Sequence, residues 1–271
     1  MMMHIRRAAV AGAFYPGNPR DLDTIVKRFL ADAEANVCNG PVPKAIIAPH
    51  AGYAYSGAIA AAAYARFKPA AGTIRRVVLL GPCHRVAVNG LAVSSADAFE
   101  TPLGTVPLDR PAIESILPLP QVSVFDATHT DEHSLEVHLP FLQELFRDFS
   151  LVPLVVGRAS GDDVAEVLDH LWGGSETVIV VSSDLSHDMD YDTAQRMDTA
   201  TSEAIEALDP SAIDFGQACG RVPVAGLLTL ARRRALEVTT LDLRNSVDVT
   251  GVPGRVVGYG AWMFTEQPAE G

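Results

Sequence analysis

Apolar residues along this chain fall into two patterns. Short unbroken runs, Ala45-Ile46-Ile47-Ala48, Val77-Val78-Leu79-Leu80 and Val178-Ile179-Val180-Val181, are rich in β-branched residues and read as strands buried on both faces. Elsewhere the spacing is helical: Leu22, Ile25, Val26, Phe29 and Leu30 put one face of a helix against a sheet. Asn18 and Pro19 supply that helix with an N-cap and a first-turn proline, and Asp21 and Asp23 suit the positive end of its dipole. Further helices are predicted over about 56–67 (Ser56 as N-cap), 162–171, 192–208, 211–217 and 223–235, with another opening at 131–142 and running to about Phe146. Segments 91–93, 237–243 and 255–264 add strands. Segment 151–156 carries an internal Pro153 and is assigned to an edge or a bulge, and 101–107, with two prolines and a glycine, to a hairpin or irregular edge excursion.

Alternation of strand and helix persists with no repeat, low-complexity tract or linker. The expected fold is a single α/β domain over residues 1–271, with a mostly parallel central sheet covered by helices on both faces. The three cysteines, Cys38, Cys83 and Cys219, are far apart and form no C-x-x-C pair, which argues against a zinc ribbon or a thioredoxin-type motif and fits a reducing cytoplasm. A net charge of −12 with no strong basic stripe argues against nucleic-acid binding; Arg232-Arg233-Arg234 reads as a solvated helix face. The N-terminus lacks the apolar core of a signal peptide, and no run of about 20 apolar residues is free of breakers, so a cytoplasmic protein without a membrane span is expected.

Three of the predicted strands end within a few residues of a histidine. Pro49 stops the first and His50 follows; Gly81-Pro82 breaks the second before Cys83-His84; Ser182-Ser183-Asp184-Leu185-Ser186-His187 leaves the last. Ligands collect outside the carboxyl ends of strands in open α/β sheets, so parallel neighbours would bring His50, His84 and His187 to one edge. A loop histidine bonded to backbone is the commoner case for each one alone; the repeated pattern is what points to a metal site. Cys219 is a candidate further ligand, with Gly220 allowing close approach and Arg221 nearby to favour a thiolate. Cys83, adjacent to His84, fits less well, and Cys38 reads as a helix-end residue. Asp184 and His187, three apart among hydroxyls, suit an imidazole oriented by a carboxylate for proton transfer, or an Asx-type turn. In Asp131-Glu132-His133-Ser134, Glu132 and His133 can reach a cleft, although helix capping explains part of the cluster. His138 reads as packing or surface.

The strings Ile46-Ile47-Ala48-Pro49-His50-Ala51-Gly52-Tyr53, Leu80-Gly81-Pro82-Cys83-His84, Asp131-Glu132-His133-Ser134-Leu135-Glu136-Val137-His138-Leu139-Pro140, Ser182-Ser183-Asp184-Leu185-Ser186-His187 and Cys219-Gly220-Arg221 occur in this order, after Ala11-Gly12-Ala13-Phe14-Tyr15. Together they resemble the Memo family, the AmmeMemoRadiSam system protein B of prokaryotes, over nearly the whole chain. The resemblance implies a fold similar to the class III extradiol dioxygenases and a non-haem iron or copper site. It implies His50, His84 and Cys219 as metal ligands and Asp184 and His187 as the proton-transfer pair. Phe14 would form part of the cleft wall, to which Tyr53, Glu132 and His133 are also assigned. Family members often carry a second histidine where this chain has Arg85, and some carry histidine where it has Val222.

Three functions follow as expectations. The first is a metal-dependent, dioxygenase-like oxidoreductase using Fe(II), with Cu or Zn as other metals, since two imidazoles and a third donor leave positions open for O₂ and substrate. The second is an accessory protein that binds a small molecule, a peptide, or the radical-SAM and AMMECR-type partners implied by the resemblance. The third is a zinc hydrolase with His187 as base.

Overall fold

The computed structural model describes residues 3–35 and 40–267; Cys38 lies outside them. The chain opens with a short strand β1 (Ile5–Arg6) and helix α1 (Pro19–Glu34), whose N-cap Asn18 accepts from the amides of Arg20 and Asp21. Strand β2 (Ala45–Ala48) leads to α2 (Tyr53–Tyr64), then β3 (Arg76–Pro82), β4 (Leu91–Val93), β5 (Ala98–Thr101), β6 (Gly104–Pro107), α3 (Arg110–Ile116) and β7 (Val122–Val124). Next come α4 (Ala127–Thr130), α5 (Leu139–Leu145), β8 (Ser150–Val156), α6 (Gly161–His170), β9 (Thr177–Ser182), β10 (His187–Met189), α7 (Tyr191–Glu206) and α8 (Arg221–Arg233). Strand β11 (Glu237–Asn245), α9 (Ser246–Thr250) and β12 (Val256–Thr265) close the described chain.

The main sheet runs β10-β12-β2-β9-β3-β8-β4-β7, with β11 also paired to β12. Its four central strands, β2, β9, β3 and β8, are parallel. They are the unbroken apolar runs of the sequence, buried on both sides because helices cover both faces. Helices α1, α2 and α5 pack together on one face, and α6 and α8 on the other. The outer pairings β12–β2 and β4–β8 are antiparallel, so the parallel core sits between antiparallel margins. The 101–107 segment is a hairpin, β5–β6, completed by β1 into a small separate sheet. Among the described residues no helix is long and apolar enough to cross a membrane.

Several local expectations change. Helix α2 starts at Tyr53 and its N-cap is Gly52; the Ser56 hydroxyl instead donates to the Ala51 carbonyl. Strand β3 does not break at Gly81-Pro82, which pair with Val155 and Val156 of β8. Strand β8 is interior despite Pro153, because β4 pairs only with Val155 and Val156 and leaves the proline uncovered on that side. No helix spans 131–138: the Glu132 carboxylate accepts from the amides of His133 and Ser134, a local bond that competes with helix formation, and one 3₁₀ turn (Glu136–His138) precedes α5. The stretch predicted as a helix over 211–217 holds only a 3₁₀ turn, Pro210–Ala212.

Candidate metal centre

Parallel register carries the strand-end residues to one edge of the sheet. Ala48 of β2 is level with Ser182 of β9, and Leu80 of β3 is level with Val181. His50 and His84 therefore emerge side by side, their ring centroids 5.2 Å apart. A third imidazole joins them from the 131–135 loop: His133 lies 5.3 Å from His50 and stacks on His84 at 4.6 Å. One nitrogen from each of His50, His84 and His133 falls within 4.8 Å of the others. Gly81 makes this approach feasible, since a Cβ there would stand 2.7 Å from Ser134 Oγ and 2.9 Å from a Leu135 methyl.

Hydrogen bonds around the trio fix which nitrogens are free. The Ser182 hydroxyl donates its single proton to the Ser134 carbonyl at 2.6 Å, so at 2.6 Å from His50 Nδ1 it can only accept. His50 Nδ1 therefore carries the proton and Nε2 presents its lone pair. The Glu132 carboxylate accepts from His84 Nδ1 at 2.8 Å, which imposes the same tautomer there. It also accepts from the amides of His84, His133 and Ser134. Burial opposes ionisation of Glu132, but the bonds from His84 and Ser134 outweigh it and hold the carboxyl down at about 2. His133 Nδ1 is buried without a hydrogen-bond partner, and lies 3.4 Å from Glu132 Oε1 without alignment. Burial, then the neighbouring imidazoles, push the pKa of His50 well below its ordinary value; burial and His84 lower that of His133. Neutral imidazoles with free lone pairs are the form in which histidine binds a metal, and the donor set fits one.

Cys219 Sγ lies 3.2 Å from His50 Nε2, accepts from the Asp184 amide at 3.3 Å, and is not one of the three donors grouped together. Gly220 permits its position, because a Cβ there would lie 2.5 Å from the Ser182 carbonyl oxygen. Burial and the Asp184 carboxylate push the thiol up to about 12, so in the metal-free chain it is a thiol facing the unprotonated His50 Nε2. Cys83 is committed elsewhere, its thiol donating to the Val86 carbonyl at 2.6 Å.

The other residues singled out in the sequence take different places. Asp184 does not orient His187: its carboxylate accepts the His50 amide at 2.7 Å and comes within 3.9 Å of His50 Nε2. Burial raises its pKa against the pull of the His50 amide and His187. The exposed His187 bonds through Nδ1 to the Leu185 carbonyl at 2.9 Å, at a bulge where Asp188 has φ 57°. Phe14 packs on His133, centroids 4.7 Å apart, and walls the site. Tyr53 is a core residue rather than a cleft residue: its ring lies among Tyr15, Phe29 and Phe141 and its hydroxyl donates to Val137 O. Glu132, 1% exposed, lies behind His84 and positions it instead of facing the cleft. His138 is buried beneath the trio, bonded to the Tyr64 hydroxyl at 2.9 Å and held down at about 3 by burial and the neighbouring imidazoles.

Sequence reasoning missed Ser182 and the approach of His133 to His50 and His84. A serine closing the apolar run of β9 was the available signal for the first, but its meaning depends on the β2–β9 register.

Comparison with known proteins agrees with the motifs. A family model described as "Memo-like protein" matches residues 6–263. A MEMO1 family protein of Aquifex aeolicus is 35% identical over 97% of this chain and 100% of its own length, and one from Methanosarcina acetivorans is 36% identical over 96% and 98%. The crystal structure of an uncharacterized protein from Escherichia coli K12 superposes with a TM-score of 0.45 at 13% identity, over 81% of this chain and 98% of that one. A family match across nearly the whole chain, with relatives of this identity matched end to end, places the chain in the Memo family.

Proposed function

We propose that this protein is a metal-dependent oxidoreductase whose metal is held by His50, His84 and His133. The observation that carries the reading is the convergence of three imidazoles, two of them with tautomers fixed so that Nε2 is free. Bound Fe(II) or copper would supply one-electron and O₂ chemistry at such a site. The chain's own groups do the rest. Ser182 and Glu132 hold the His50 and His84 rings in place, Phe14 shields one side of His133, and the exposed His187 is placed to exchange protons with solvent. Cys219 is a further donor once deprotonated, a soft thiolate that suits copper, zinc or iron alike.

A second reading, zinc hydrolysis, is favoured by one feature: three converging histidines are a set that catalytic zinc also uses. The test is to prepare the chain without oxygen, load it separately with Fe(II), Cu(I) and Zn(II), and record spectra before and after O₂. The oxidoreductase reading expects iron or copper to be retained with an O₂-dependent spectral change that is absent in His50→Ala. Retention of zinc alone, with no response to O₂, would overturn it in favour of hydrolysis.

A further inference from the structure

Cys219 borders a second feature, a cavity of about 470 Å³ that none of the histidines lines. It lies beyond the carboxyl ends of β3 and β8, between the loop that follows β3 and the first turn of α8. Its size is that of small-molecule sites generally. Val86, Val88, Val156, Val222 and Pro223 give it an apolar side, and much of the rest of its surface is polar. One charged residue lines it, Arg158, and no carboxylate does, in a chain of net charge −12. The Arg158 backbone is pinned on both sides, its amide donating to Val88 O and its carbonyl accepting from Gly90 N. Its exposed guanidinium has no carboxylate partner among the described residues. Asn89 lines the cavity beside it. The first turn of α8 closes the cavity on the Cys219 side with Val222 and Pro223.

We propose that this cavity binds a small monocarboxylate with an apolar body. Arg158 takes the carboxylate through its planar fork, Asn89 adds a donor, the valines cover the body, and the far end rests at Cys219. A single guanidinium matches one carboxylate in charge and geometry. The assignment rests on the metal-site reading only for its consequence: a ligand held this way ends at the residue that touches His50 Nε2. Its recognition does not need the metal.

The experiment is calorimetric titration of the metal-free protein with hexanoate, phenylacetate and the uncharged hexanamide, with metal content of parallel loaded samples measured separately. Hexanoate and phenylacetate are expected to bind, with hexanamide weaker by roughly tenfold or more, the loss of a charge-assisted pair. Arg158→Gln should bring hexanoate to the level of the amide, and Val222→Trp, which fills the cavity, should abolish both acids. Equal binding of hexanoate and hexanamide, an unchanged Arg158→Gln variant, or no binding of any of the three would overturn the proposal. Loss of metal binding with hexanoate still bound would count against the metal centre alone.

Discussion

Replacing Glu136 with alanine is expected to cost about 3–5 kcal/mol of stability, the largest loss from any single change considered, because it strands a buried cation. The Glu136 side chain is completely inaccessible to solvent and pairs with Arg6, itself only 6% exposed. It also accepts from the amides of Ala9 and Val10 and from the Tyr15 hydroxyl. Arg6 would keep its bonds to the carbonyls of His129 and Glu132 but lose its counter-charge. The thermal midpoint should fall by on the order of 10 °C. The network ties the N-terminal segment that carries Phe14 to the loop that carries His133, so metal affinity should fall together with stability. A midpoint within about 2 °C of the parent would refute this role.

Glu132→Gln is the second large effect and separates positioning from charge. The carboxylate serves four donors: His84 Nδ1 and the amides of His84, His133 and Ser134. A glutamine of the same shape has one acceptor oxygen, and its NH₂ would face a donor. A stability loss of about 2–3 kcal/mol is expected in urea unfolding of the metal-free chain. Metal affinity should fall roughly 10–100-fold, because a neutral amide oxygen holds the His84 ring more weakly and the NH₂ displaces the His84 amide. Loss of stability with unchanged metal affinity would mean that Glu132 only holds the loop.

The sheet was legible because its central strands are continuous apolar runs, and β2, β3 and β9 lie where those runs lie. The errors came where tertiary pairing overrides local rules. Gly81-Pro82 and Pro153 read as breakers, yet each lies in a strand, Pro153 at a place where the neighbour does not reach. The site was legible as far as residue type and chain order allow: His50 and His84 could be placed at one edge from strand ends alone. Three of its features depend on contacts between residues far apart in sequence. Glu132 turns toward His84, Asp184 toward the His50 amide, and the Ser182 hydroxyl toward Ser134. Tyr53 shares a motif with His50, but as the first residue of α2 its ring goes into the core. Nothing in the spacing shows that His133, assigned from sequence to the cleft wall, brings a nitrogen to the His50–His84 pair.

The central claim is that three imidazoles, from His50, His84 and His133, hold one metal ion. X-ray absorption at the iron edge of the chain loaded with Fe(II) without oxygen tests it most directly, with His133→Ala and Cys219→Ala measured alongside. The account predicts scattering from three imidazoles, one fewer in His133→Ala, and the same nitrogen shell in Cys219→Ala. A shell of two imidazoles and a sulfur, unchanged in His133→Ala and lost in Cys219→Ala, would contradict it.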